Sequence, residues 1–373
     1  MAASPLSLGK HLRRLHDPRI ERNRRHLLVD IVTIAICAVI GNADSWVDVA
    51  TFATRRKEWF ERFLELPEGI PSQHTFRRVF DRLDPVALQQ GLIGWLHHIT
   101  ELLGVRHIAI DGKTLRHSGG GSSPLRQLHL VSAWATEANL VLGEVATEEK
   151  SNEITAIPKL LEMLDLHGAF VTIDAMGCQK DIAEKIVARG GDYALTVKDN
   201  HAQLREDILA CFERAYTTNC QGVQYDWHQT EGTGHGRQEK RLYEVIVEPQ
   251  GIRNSEAWAK LTVIGKCYSE RTVNGKTSSE ERCFIGSKRC SAKRYGEVLR
   301  NHWSIENQLH WQLDVTFGED ASRIQDRHGG ENFSLLRRLA LGLLKRHPGK
   351  GSIRSKRYAA ALDIDFLEEI LST

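Results

Sequence analysis

No C-x-x-C pair occurs anywhere in this 373-residue chain. Its seven cysteines (Cys37, Cys178, Cys211, Cys220, Cys267, Cys283 and Cys290) are scattered and odd in number. Such usage argues against a disulfide or zinc framework and for reduced thiols in a cytosolic protein. Long apolar runs are lacking too. The longest, Leu27–Ile40, is 14 residues and contains Asp30, too short to span a bilayer. The N-terminus is basic with no apolar stretch and cleavage site behind it, so no secretory signal is legible, and a cytoplasmic protein without a membrane partner is expected. Net charge is only +2, so no global field announces nucleic acid and any such argument must be local. The SGGGSS segment at 118–123 lacks the Lys-Ser/Thr of a phosphate-binding glycine loop.

What is present is ordinary globular material, 41% hydrophobic and 26% charged, long enough for two or three domains and a large core. Residues 10–26 carry Lys10, Arg13, Arg14, Arg19, Arg22, Arg24 and Arg25 against Asp17 and Glu21, seven minus two leaving five positive charges. Such an arm can track phosphates or simply stay solvated. Residues 27–104 read as all-helical, with helices over Leu27–Ile40, Ser45–Leu64, Gln73–Leu83 and Val86–Leu103. Ser72 caps the third, which stops at Asp84-Pro85. There Phe76, Val79, Phe80 and Leu83 form the inward stripe, and Arg77, Arg78 and Arg82 lie outside it. A short basic helix after a Gly-Ile-Pro turn suits helix-turn-helix DNA reading, and equally a solvated face.

The character changes at Val105–Arg116, VRHIAIDGKTLR. A buried strand over Val105–Ile110 is expected to run into Asp111 and end at the Asp-Gly step. A carboxylate there sits rigidly at the rim of a core, reachable by solvent, although a plain strand-terminating turn explains the same residues. Ala169–Gly177, AFVTIDAMG, repeats the design with Ile173-Asp174. Between the two, strands are expected at Gln127–Thr136 and Leu140–Ala146 and a helix at Glu153–Leu166. Helix Gln179–Arg189, strand Tyr193–Val197 and helix Ala202–Ala215 follow. Three strands and then β-α-β alternation describe a mixed α/β sheet flanked by helices.

Residues 217–290 turn to strands again, at Gln224–Gln229, Arg237–Val247, Leu261–Ser269 and Glu280–Ile285, with Asn274-Gly275 as a hairpin signal. In HGRQEKR the charged residues His235, Arg237, Glu239 and Arg241 share one strand face, as a DNA-contacting ribbon or a solvated edge. A long helix is then expected over Tyr295–Val315. At 100° per residue Leu299, Leu309 and Leu313 fall within about 80° of one another, and Glu306 falls inside that stripe, opposite Asn301, Gln308 and Gln312. A carboxylate on an apolar face must be paired, protonated or metal-bound.

Asp111, Asp174 and Glu306 therefore stand out on physical grounds. Gathered at one sheet edge they could hold two Mg²⁺ ions, with Mn²⁺ able to substitute, in the manner of phosphodiester displacement. A rival reading takes His302, Glu306 and His310, spaced i, i+4, i+8, as a zinc face. It leaves both aspartates unused and matches no H-E-x-x-H pattern.

The sequence resembles the H-repeat-associated, ISAs-type insertion-sequence transposases. Carrying the resemblance are DPR (17–19), GNADSWVDVATFA (41–53), GIPSQHTFRRVFDRLDP (69–85) and AIDGKTLRHS (109–118). TIDAMGCQKDIAEKI (172–186), DYALTVKDN (192–200), HGRQEKR (235–241) and RNHWSIENQLHWQLDVTFGED (300–320) continue it. The resemblance implies an RNase H-like core with Asp111, Asp174 and Glu306 as a metal-binding DDE triad. It further implies double-stranded DNA partners, both terminal inverted repeats and target, bound in the cytoplasm at the nucleoid, with a homodimer plausible on paired ends. Its domains would be a helical DNA-binding part (1–104), a core in two pieces (105–216 and 291–346), a β-rich insertion (217–290) and a basic tail (347–373). Related enzymes show Tyr-x2-Arg-x3-Glu-x6-Lys around the third acid, whereas here His302 stands four before Glu306 and Leu313 seven after it. Arg300, His302, His310 and Lys198 are the candidate replacements, and Glu319 and Asp320, following Gly318, are weaker third acids. A relic that binds DNA without cutting, or an RNase H-like nuclease without strand joining, are the alternatives.

Overall fold

The computed structural model describes residues 11–12, 15–103, 106–116, 127–147, 153–234 and 236–372. His235, Lys10, Arg13, Arg14 and the glycine-rich segment at 118–123 lie outside the described residues. In chain order the helical N-terminal region holds α1 (Leu28–Ile40), α2 (Trp46–Arg55), α3 (Lys57–Phe60), α4 (Gln73–Phe80) and α5 (Pro85–Leu103). Strands β1 (His107–Leu115), β2 (Leu128–Ala135) and β3 (Leu140–Ala146) follow, then α6 (Glu153–Met163), β4 (Phe170–Ile173), α7 (Lys180–Ala188), β5 (Asp192–Val197) and α8 (Ala202–Thr217). Four eleven-residue strands come next: β6 (Gln224–Gly234), β7 (Arg237–Val247), β8 (Val263–Val273) and β9 (Lys276–Gly286). The chain closes with α9 (Ala292–His302), a π-helical turn (Glu306–His310), α10 (Trp311–Phe317), α11 (Arg327–Arg346), α12 (Ile353–Leu362) and α13 (Ile364–Leu371). The result is a large mixed sheet flanked by helices, with a helical N-terminal region. The backbone divides into two compact units, one of residues 1–105, 112–150 and 305–373, the other of 106–111 and 151–304.

In the second unit the sheet order is β1-β4-β5-β9-β8-β7-β6. β1, β4 and β5 are parallel, as their helical crossovers require. β9 then pairs antiparallel with β5, Leu195 opposite Ile285, and β8, β7 and β6 continue antiparallel. The segment expected as an insertion therefore extends the same sheet. The β8–β9 turn is Asn274-Gly275 with both residues at positive φ (49° and 76°), the geometry that matches hairpin twist. Alternate residues of these strands (Phe170, Tyr243, Val245, Val263, Phe284) bury against Ala292, Tyr295 and Val298 of α9. Each such side chain contributes roughly 1.5–3 kcal/mol.

The other unit is organised on α1, in which every residue but Val29 is buried, the pattern of a helix apolar all round. Asp30 is tolerated there because its carboxylate accepts the N–H of Leu66 at 3.0 Å, and burial raises its pKa. The helix expected over Ser45–Leu64 breaks at Arg56 (φ −116°, ψ 21°), whose guanidinium reaches the carbonyls of Ala361 and Leu362. β2 and β3 form the expected hairpin beside the second half of β1, with Asn139 at φ 53° in its turn. The segment expected as a basic tail is folded into α12 and α13. Arg357 is buried, bonded to Asp44 at 2.8 Å and to the carbonyl of Thr316.

Candidate active site

The parallel register Ala109↔Thr172, Ile110↔Ile173 brings the next residues, Asp111 and Asp174, to the carboxyl edge of adjacent strands. That edge is where open α/β sheets bind ligands. Asp174 ends β4, its side chain 42% exposed. A 3-10 turn, Ala175–Gly177, follows. A Cβ on Gly177 would lie 2.2 Å from Cγ2 of Ile173, so only glycine lets the turn fold back that closely. Asp111 is half-buried and, contrary to expectation, does not end its strand: β1 runs through Gly112 to Leu115.

Lys198, the first residue past β5, brings its ammonium 3.6 Å from Oδ1 of Asp174. Arg282 on β9 is held bidentately by Glu280 (2.6 and 2.7 Å) and stacks 4.6 Å over the exposed Trp303 ring. The Glu280 hydrogen bonds and, to a lesser degree, the charge of Asp174 raise its pKa. Arg282 belongs to a groove of about 640 Å³ that also reaches Thr172, Arg241, Arg300 and His302. Beneath this edge the Thr172 hydroxyl lies 2.8 Å from Nε2 of His107 and 3.1 Å from Nδ1 of His302. Burial first, and then the charges of His302 and Arg294, push the His107 pKa down to about 3, which keeps its ring neutral.

Two expected phosphate-facing residues need correction. His302 is 8% exposed and engaged with Thr172, and His310 is 5% exposed, so both side chains are turned away from solvent. The helix that carries the His302, Glu306 and His310 spacing is not continuous: it is interrupted at Trp303 and turns π-helical from Glu306. Among the remaining cations, Arg77, Arg78, Arg82, Arg237 and Arg300 are exposed. Arg77 lies 3.4 Å from Asp81, while Arg237 and Arg241 flank Glu239 at 3.2 and 2.8 Å.

Glu306 belongs to the first unit and opens the π turn. Its side chain is 55% exposed, 3.6 Å from Nδ1 of His310, whereas Leu309 and Leu313 are buried as expected. The reading of Glu306 as part of the buried stripe is thereby corrected. One wheel drawn across the interruption at Trp303 and the π turn does not hold Glu306 in phase with Leu299, Leu309 and Leu313. Glu319 is the acid that is fully buried. Burial would raise its pKa, but Arg338, Lys113 and Arg337 together hold it well below the usual range. Its oxygens accept from Lys113 Nζ (2.8 Å), Arg338 Nη1 (2.8 Å) and Ser334 (3.0 Å). Lys113 is a partner that its local sequence barely announces. The available signal was its place two residues past Asp111, on the same face of a strand.

The register thus sets two aspartates at one edge of a mixed sheet, and carboxylate oxygens are the donors that hard divalent cations prefer. The chain belongs to the Transposase DDE domain family, whose model matches residues 104–343. A DDE_Tnp_1-associated model matches residues 9–96. "Putative transposase YncI" of Escherichia coli O157:H7 is 38% identical over 372 residues, covering 98% of this chain and 95% of that one. "H repeat-associated putative transposase YhhI" of Escherichia coli K12 is 36% identical over 371 residues, covering 98% and 97%. Among solved structures, a cryo-EM structure of a piggyBac transposase synaptic complex with hairpin DNA aligns at TM-score 0.40 and 10% identity, over 100% of this chain and 82% of that one. Among the described residues, no helix is long and apolar enough to cross a membrane.

Proposed function

We propose that this DNA transposase cuts at the ends of its element by metal-dependent hydrolysis and joins the freed 3′-hydroxyl to target DNA. Asp111, Asp174 and Glu306 are its acids, on an RNase H-like core. The observation that carries the reading is the pairing of Ile110 with Ile173, which supports Asp111 and Asp174 as neighbouring ligands.

The donor set fits a divalent ion. Both aspartates offer hard oxygen, both are reachable by solvent, and Asp174 already attracts the Lys198 ammonium. DDE transposases normally use divalent metal, and Mg²⁺, with Mn²⁺ as substitute, is the proposed ion. Bound there, a metal pair supplies activation of a water or 3′-hydroxyl and stabilises the leaving oxygen. Lys198, Arg282 and Arg300 grip the flanking phosphates, and the helical N-terminal part with Arg77, Arg78 and Arg82 reads the inverted repeats. Two copies act on paired ends.

The departure from the family's arginine and lysine at His302 and Leu313 favours one alternative, a relic that binds but does not cut. Strand joining separates the readings. A pre-cut 3′-end given with target plasmid and Mg²⁺ should yield covalent joint molecules. Cutting of intact ends without joining would leave a nuclease, and tight binding with neither would leave the relic.

A further inference from the structure

Lys113 is a buried cation (8% exposed) two residues beyond Asp111 on β1. Its ammonium donates to Glu319 at 2.8 Å and to Asp314. Asp314 lies on α10, which continues without a break from the π turn that begins with Glu306. Glu319 follows Gly318, whose φ of +57° reverses the chain and turns the carboxylate inward. The second Glu319 oxygen is held by Arg338, which also lies 2.7 Å from Glu144 on β3. Lys113 thus joins two acids, one in the helix after Glu306 and one just past its end, that lie 201 and 206 residues away in sequence.

Stability alone gives little reason for such an arrangement. Desolvating an ion pair costs about as much as its attraction returns, and apolar replacements of like volume are often no less stable. What a two-pronged ammonium supplies is position. Lys113 lies on β1, and Asp314 shares one helix with Glu306. Holding Lys113 between Asp314 and Glu319 sets the turn and rotation of the Glu306 helix with respect to that strand.

We infer that Lys113 is a positioning residue for Glu306, fixing the helix that carries it against β1 at Lys113 itself. This rests on the proposed roles of Asp111 and Glu306. Supporting shells of this kind typically change metal affinity by roughly 10–100-fold when removed.

The experiment uses the full chain in four forms: parent, Lys113→Met, Lys113→Arg and Asp111→Asn. Mn²⁺ binding is titrated by EPR without DNA, and end cleavage is followed against Mg²⁺ concentration. Thermal melting and DNA binding in EDTA report the fold. Lys113→Met should bind DNA as the parent does, yet need about tenfold more Mn²⁺ for half-saturation, in line with such shells. Its cleavage should recover in part at high Mg²⁺, and Lys113→Arg should restore most of the affinity. Should Lys113→Met not fold, the double variant Lys113→Met/Glu319→Gln removes both buried charges and takes its place. Parental Mn²⁺ affinity and cleavage in a folded Lys113→Met or double variant, with both lost in Asp111→Asn, would overturn the positioning role and leave the site standing. Parental Mn²⁺ binding and cleavage in Asp111→Asn would overturn the site itself.

Discussion

Ile110 and Ile173 are register partners on adjacent parallel strands, so Asp111 and Asp174 follow at the same edge of the sheet. Neighbouring carboxylates repel, and a site that keeps both charged needs cations to offset them. Lys198, at 3.6 Å from Asp174, is one such cation already in place.

The grip on DNA should register as salt dependence. Arg282→Ala and Lys198→Ala should each weaken binding uniformly across sequences and lower the slope of log K against log salt by about 1. An unchanged slope in both would remove them from the phosphate contacts. Fluorescence anisotropy between low and moderate salt gives the comparison.

Close packing behind Asp174 predicts a stability effect. Gly177→Ala places a methyl 2.2 Å from Cγ2 of Ile173 and should destabilise by about 1–3 kcal/mol. Ile173→Val should leave the clash, since valine keeps a γ-methyl, whereas Ile173→Ala in the Gly177→Ala background should relieve part of it. Urea unfolding of the variants tests the order.

The buried ion network predicts a non-additive pair. Arg338→Met leaves Glu319 and Glu144 without their shared guanidinium and should cost roughly 3–5 kcal/mol. Adding Glu319→Gln should restore some of that stability. Simple addition of the two losses in a double-mutant cycle would mean that the charges do not interact.

One acid of this network sets a pH dependence. Burial raises the Glu144 carboxyl to about 8 against an ordinary 4.5, outweighing Arg338. Between those values the folded chain holds a proton that the unfolded chain has released, so this group's contribution to stability falls as pH rises from 4.5 towards 8. Glu144→Gln should flatten that decline in urea midpoints measured at pH 5 and pH 8. An equal slope in parent and variant would show that Glu144 is charged throughout.

Much of this was legible in the chain. The apolar run, Ile-Asp and small-residue turn at Asp174 mark a strand end because burial and solvent access change there within one residue. The β-α-β order followed from periodicity, and the hairpin at 274–275 from Asn-Gly. Other features depend on partners distant in sequence. The strand through Asp111-Gly112 continues because Lys113 finds acids 201 and 206 residues away. No local propensity encodes such partners. A single helical period over 295–315 takes no account of the break at Trp303 and the π turn, and so places Glu306 on the wrong face. The distal halves of β6 to β9 contain no buried residue, and without a buried face they lack the alternation that shows a strand's length.

The most direct measurement is the cleavage of a plasmid carrying the gene with its native flanks, by the parent and by Asp174→Asn, in Mg²⁺ and in EDTA. DNA binding is followed in parallel. The account predicts breaks at fixed flanking positions that need Mg²⁺, are lost in Asp174→Asn and leave binding intact. Equal cleavage by Asp174→Asn, or cleavage in EDTA, would contradict it.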